Sequence, residues 1–368
     1  MSTPFLPPLP DRLPAGWSAA TPTEEDVDAL HALAEADRRA VTGSGGVLRD
    51  SVVVESVGRG SWTRRQVVLR DEGGVRGWVR VHDRAAGRTN VDLTLDPSLA
   101  PAVADEVAVS AYAWAERVAL RVARGRGLGG TQLDASLHED DEAGRRHLES
   151  AGYRHTRTWL QMRRPVGPDD AGLLEEHLRE GVGVRPVGRH ADGSPVAADL
   201  QTVHRMLEDS FADHFNSYRE SFPEFLSRLR EDPGHRWDLW WIAEVEVEGD
   251  HGGLDVVPGG ALAATITPAD DAGRHGSYVE YIGVHRLARG RGVAKSLLHA
   301  VIADGARRGH DRVTLEVDAH SPTGADGLYT AMGWSIAYRS ETWHRDIRLP
   351  DGDAPVPEPQ GDVPDVTP

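Results

Sequence analysis

Residues Tyr278 to Trp334 read YVEYIGVHRLARGRGVAKSLLHAVIADGARRGHDRVTLEVDAHSPTGADGLYTAMGW, and this stretch decides the fold. It runs strand, glycine-bearing turn, amphipathic helix, strand, loop and short helix. The turn Arg289-Gly290-Arg291-Gly292-Val293-Ala294 opens the long helix. In that helix Val293, Ala294, Leu297, Leu298, Val301 and Ile302 make one apolar stripe. Arg307 and Arg308 stand in its last turn and Gly309 ends it. A strand that enters a helix through glycines is a pyrophosphate cradle. First-turn amides have no intrahelical acceptor, the helix dipole favours an anion there, and glycine lets the backbone come close.

Two common nucleotide motifs fail on spacing. A Walker A loop needs a second glycine before Lys-Ser, and here Ala294 precedes Lys295-Ser296. The dinucleotide fingerprint starts well at Gly290 and Gly292 but meets Lys295 where its third glycine belongs. The residues that do fall into register are Arg289, Gly292 and Ala294, followed by RVTLEVD, HSPTGAD and GLYTAMGW. In order and spacing these resemble the GNAT superfamily of acyl-CoA-dependent N-acyltransferases, with its Arg/Gln-x-x-Gly-x-Gly/Ala signature.

The resemblance implies an α/β fold (α+β, a mixed sheet flanked by helices) and acetyl-CoA as acyl-donor cosubstrate, with no metal. It places the pyrophosphate on the amides of Arg289, Gly290, Arg291, Gly292, Val293, Ala294 and Lys295, and a polarising amide among Ile282, Gly283 and Val284. Tyr329 falls on the general-acid position, and Ser321 stands where many relatives carry an asparagine that meets CoA. Glu280 is two residues from Tyr278 and from Ile282, so the three are expected to share a strand face. A carboxylate in an apolar strand needs a partner or a task, and Glu280 is the candidate base for the acceptor amine. A phenol of pKa about 10 lies close enough to a thiol of about 8.5 to protonate a departing thiolate. Asp213 and His214, on the substrate side, are candidates for orienting the amine.

The rest of the chain narrows the class. The 368 residues suit two domains, and no apolar run is long enough for a membrane span. The proline-rich start lacks the layout of a secretory signal. Absence of cysteine excludes disulfides, thiolate nucleophiles and Cys-ligated zinc, and points to a cytoplasmic protein. A net charge of −17 argues against nucleic acid as a partner and suits a cationic small-molecule amine.

The first half repeats the second. VVLRDEGGVRGWVRVHD is a hairpin, TNVDLTLDP a strand, and AVADEVAVSAYAWAERVALRVA a long helix. TQLDASL and HLESAGY then match RVTLEVD and LYTAMGW. Where the cradle belongs the first copy has Ser98 to Val103, without glycine and with Pro101. Leu148 stands in the place of Tyr329. The expected organisation is therefore two tandem GNAT-like domains. A degenerate domain spans 1–165, a linker 166–182, and an active domain 183–349, followed by a disordered acidic, proline-rich tail at 350–368. This layout is similar to that of tandem acetyltransferases of actinobacteria. The expected reaction is direct acetyl transfer to a primary amine of a small molecule. The alternatives are acetylation of a protein N-terminus or lysine, or acyl-CoA binding without turnover.

Overall fold

The computed structural model describes residues 10, 12–84, 88–211, 221–229, 235–249, 251–270, 272–321 and 324–349. Asp213, His214 and the tail 350–368 lie outside them. The first part of the chain supplies β1 (Ser18–Ala20), α1 (Val27–Thr42), α2 (Arg49–Ser56), β2 (Arg64–Asp71), β3 (Gly74–Asp83), β4 (Arg88–Leu95), α3 (Pro101–Gly125), β5 (Gly130–His138), α4 (Glu142–Ser150) and β6 (Arg154–Pro165). The second part supplies α5 (Leu173–His177), β7 (Val182–Pro186), α6 (Ala197–Phe211), α7 (Phe222–Leu229), β8 (His235–Glu248), β9 (Leu254–Thr267), β10 (Gly276–Val284), α8 (Val293–Arg308), β11 (Arg312–Asp318), α9 (Ala325–Ala331) and β12 (Ser335–Arg348).

These elements form two compact units, each a mixed sheet with helices packed on it. The first takes the chain through Trp159, Asp318–His320 and the strand from Tyr338 onward. The second takes Leu160–Val317 and Ser321–Ala337. The units are thus not the contiguous spans 1–165 and 183–349. In the first unit the strand order is β1-β2-β3-β4-β5-β12, so the last of the described strands completes the first sheet. Ser340–Arg348 pair antiparallel with Gly130–His138. The physical reason is burial: Trp343 and Ile347 of β12 join Val79, Trp114 and Leu133 in one apolar core. The second unit runs β7-β8-β9-β10-β11-β6.

The stretch 166–182, expected as a linker, folds into the second unit, where the turn Pro168–Gly172 and α5 pack on α8. The core of that unit includes Leu239, Trp240, Trp241, Ile242 and Ala243 of β8, as their apolar run predicts, and Ala261–Ala264 of β9. On the facing helix α8, Val293, Leu297, Leu298, Val301 and Ile302 are all buried. The end of α8 is fixed three ways. Gly309 adopts φ +74°, which closes the helix without the strain a side chain would bring. Arg308 reaches Asp238 of β8 at 3.0 Å. Buried Ser277, in β10, bonds His310 Nδ1 at 2.9 Å.

Because β12 carries part of the first unit's core, Trp343→Ala is expected to lower stability by about 3–5 kcal/mol. Chemical denaturation followed by circular dichroism checks this. An unfolding curve superimposable on that of the unaltered chain would contradict the role given to β12.

Candidate active site

The site grows from a parting of strands. β10 pairs with β11 in parallel only over Ser277–Val279, opposite Val313–Leu315. Its antiparallel ladder with β9 continues to Val284, opposite Gly260. In an antiparallel ladder alternate residues direct their amides and carbonyls to opposite sides. Along Tyr281–Val284, groups directed away from β9 therefore face a gap that β11 leaves open. Ile282, Gly283 and Val284 all lie on this edge.

The register of β10 against β9 also slips by one residue between Val279 and Tyr281, so Glu280 is the extra residue of a β-bulge. This corrects the expectation that Glu280 shares a face with both Tyr278 and Ile282, because a bulge interrupts the alternation on which that reading rests. Oε2 of Glu280 is closed off from solvent. Gly283 is required for packing: a Cβ there would lie 2.8 Å from the Ser210 hydroxyl and 3.2 Å from Leu207, both on α6.

Beyond β10, the 3₁₀ turn Arg286–Ala288 leads into the glycine loop. Gly290 and Gly292 adopt φ +78° and +87°, in the left-handed region that favours glycine. Gly292 is the N-cap of α8, and the first helical bond runs from the Ser296 amide to the Gly292 carbonyl at 3.0 Å. Among the described residues the amides of Gly292, Val293, Ala294 and Lys295 meet no backbone acceptor. No atom lies within 4 Å of a Cβ placed on Gly290, so the loop is open to a ligand on that side. Lys295 is exposed. Arg291 turns the other way and donates to the Glu246 carbonyl at 2.5 Å, anchoring the loop to β8. Arg179, which the sequence reading did not single out, lies against the glycines. Its Cδ and Nε stand 2.8 and 2.9 Å from where a Cβ of Gly292 would be. No local motif marks it, because it reaches the loop from the stretch read as a connector.

Tyr329 sits in α9 with 6% of its surface exposed, its ring centroid 5.9 Å from that of Trp334. Gly333, at φ +85°, ends this short helix, and the Trp334 amide returns to the Tyr329 carbonyl at 3.1 Å. This gives the Leu-Tyr-x-x-x-Gly-aromatic run its shape. Burial alone pushes the Tyr329 phenol up to about 12, so it holds its proton throughout the neutral range. Ser321 is half-buried in the loop after β11, and its carbonyl accepts from the Gly324 amide at 3.2 Å.

The first unit uses the same frame without these devices. Its parallel ladder β4–β5 is equally short, Arg88–Asn90 opposite Gln132–Asp134. Its β3–β4 ladder runs from Gly77 to Asp83 with no slip, so there is no bulge. Val91, the residue after the parallel ladder, holds the place that Glu280 holds in the second unit. Helix α3 begins at Pro101 after Ala100, and Leu148 is fully buried.

Residues 203–334 match the Acetyltransferase (GNAT) family. The chain carries a GNAT acetyltransferase domain. It is 28% identical over 234 residues to a protein named mycothiol acetyltransferase from Kytococcus sedentarius, spanning 58% of this chain and 76% of that one. Among solved structures, a GCN5-related N-acetyltransferase from Sphaerobacter thermophilus superposes with a TM-score of 0.66 at 23% identity, covering 92% of this chain and 98% of that one. A tandem GNAT protein from the clavulanic acid biosynthesis pathway gives 0.61 at 14% identity, covering 90% and 98%. Both structures share the fold. The GNAT domain contains the bulge, the glycine loop and Tyr329, and no helix among the described residues is long and apolar enough to cross a membrane.

The cradle helix also has a pH-sensitive face. His299 of α8 lies under His177 of α5, ring centroids 4.8 Å apart. Burial, with a smaller contribution from His177, pushes its imidazole down to about 4. The unfolded chain takes up this proton near pH 6.5, and the folded chain only near 4. The associated stability is therefore complete above about pH 6.5 and is lost as pH falls toward 4. Unfolding temperatures measured across that range should fall less steeply for His299→Gln than for the unaltered chain. Parallel curves would show that His299 has no part in the acid response.

Proposed function

We propose that the GNAT domain moves an acetyl group from acetyl-CoA directly to a primary amine of a small molecule. The observation that carries this reading is the conjunction of parted strands at Glu280–Val284 with a left-handed glycine pair at the mouth of α8. The first offers backbone donors beside an open gap, and the second offers a run of unaccepted amides for a pyrophosphate. The relative named for mycothiol supports a small-molecule acceptor.

In this reading Gly292, Val293, Ala294 and Lys295 hold the pyrophosphate through their amides, with Arg289, Gly290 and Arg291 shaping the loop around it. Lys295 and Arg179 add positive charge. An amide among Ile282, Gly283 and Val284 donates to the thioester carbonyl as negative charge develops there. Ser321 lines the cofactor side. Glu280 takes a proton from the acceptor ammonium, whose pKa of about 10 makes deprotonation part of the barrier. The amine nitrogen then bonds the carbonyl carbon, the carbon–sulfur bond breaks, Tyr329 gives its hydroxyl proton to the departing thiolate, and the second proton shed by the acylated nitrogen returns through solvent to the Tyr329 phenolate. Desolvation makes Tyr329 a weaker acid than a free phenol. The same dry surroundings raise the proton affinity of the thiolate, so the relevant difference is smaller than the phenol's shift alone. With no cysteine in the sequence, no enzyme thiol can carry the acyl group.

Tyr329→Phe is expected to lower kcat by about 10²-fold with little change in KM for acetyl-CoA, by steady-state kinetics on an amine panel. An unchanged kcat would remove Tyr329 from the acid role. Turnover with peptides but with no small amine would overturn the acceptor class. The cradle has its own test, because Lys295 is the only lysine in the sequence. Mass spectrometry should show an amine-acylating reagent modifying Lys295 more slowly as acetyl-CoA is added. Labelling indifferent to acetyl-CoA would place the pyrophosphate elsewhere.

A further inference from the structure

The first unit contains a cavity of about 260 Å³ where β4 and β5 part, walled by α1, α3 and the start of α4. Its chemistry is the reverse of the cradle's. Asp37, Asp92 and Asp141 face it, with Arg38 and Arg80 as the lining cations. Both arginines are engaged. Arg80 pairs with Glu55 at 2.9 Å, donates to Thr94 at 3.3 Å and lies 4.2 Å over the Trp78 ring. Arg38 Nε donates to the Gly45 carbonyl at 3.0 Å. Asp37 makes no hydrogen bond or ion pair among the described residues. Burial and the neighbouring Asp141 push its carboxyl up to about 6, against the opposing pull of Arg80.

A second, independent observation comes from Tyr112 of α3. It lines the same cavity, is only 6% exposed, makes no side-chain hydrogen bond among the described residues, and has its hydroxyl open to the cavity. A polar group that reaches a cavity from an otherwise buried side chain is placed to meet a ligand there. An acyl-CoA would not satisfy it. Its phosphates would meet carboxylates, and α3 begins with Ala100-Pro101 in place of glycines. A metal ion fits no better, since among the described residues no three His, Asp or Glu side chains converge on one point. The cavity has room for a molecule of monosaccharide size, at about 30 Å³ for each water displaced.

We propose that the first unit is a binding site for a small hydroxylated primary amine, its ammonium held by Asp37 with Asp92 and Asp141 and a hydroxyl held by Tyr112. The proposal rests on the first unit alone and does not depend on the acetyl-transfer reading. Calorimetric titration of the full chain with glucosamine near neutral pH tests it, with glucose and N-acetylglucosamine as uncharged controls. Saturable glucosamine binding that persists in Glu280→Gln is expected, with no binding of the controls. Asp37→Asn and Tyr112→Phe are each expected to weaken it by about tenfold, the worth of one good hydrogen bond to a charged or buried group. Two near-isosteric variants are used so that misfolding of one leaves the other readable by its unfolding temperature. No saturable binding, equal binding of N-acetylglucosamine, or binding abolished by Glu280→Gln and untouched by both other variants would each overturn the proposal.

Discussion

In each unit the two central parallel strands stay together for three residue pairs and then separate. Both clefts described above depend on that separation. A β-strand edge without a neighbour presents amides and carbonyls whose hydrogen-bonding capacity must be met by something. Inside a sheet flanked by helices the gap becomes a lined cleft with polar backbone walls. The parting belongs to the frame, and both copies have it. The bulge at Glu280 belongs to the second copy alone. One inserted residue re-aims the strand where the gap opens, bringing a carboxylate to a place where the other copy has Val91.

From this shared frame the two copies develop opposite electrostatics. The second spends its helix N-terminus on glycines with φ +78° and +87°, which leaves four amides open to an anion. The first starts its helix with proline, which is well suited to the first helical turn but removes a donor. It fills the neighbouring space with carboxylates instead. Loss of a motif in one half of a repeat is therefore not loss of polar chemistry. Side chains from α1, β4, α3 and the start of α4, outside the motif, supply it.

The legible parts of the sequence were those whose meaning is local. The glycines at 290 and 292, the stripe of α8 and the Tyr329–Trp334 run each carry their own geometry, and each lies in the structure as spacing requires. The strands β6 and β12 were a different matter. A strand's residues say which face is apolar but not which strand will lie beside it, and Gln132 finds Asp346 across 214 residues. The bulge was hidden for a related reason, since a register slip is a property of two strands together. For Tyr329, identity was readable and environment was not: its weak acidity follows from burial that only the packed structure reveals. Arg179 could not be found at all, because its proximity to Gly292 depends on how an ordinary-looking connector folds back.

The position of β12 also bears on how the chain is made. Synthesis delivers β1 to β5 early, yet the core they surround lacks Trp343 and Ile347 until β12 has been made, after all of β6 to β11. During that interval the nascent first unit has an unpaired edge at β5 and an incompletely covered apolar face, the conditions under which partly folded chains associate. Pairing across so long a separation is also slow, since loop closure precedes any gain from contact. The two halves of the repeat therefore cannot mature one after the other: the earlier half waits for the last strand of the later one.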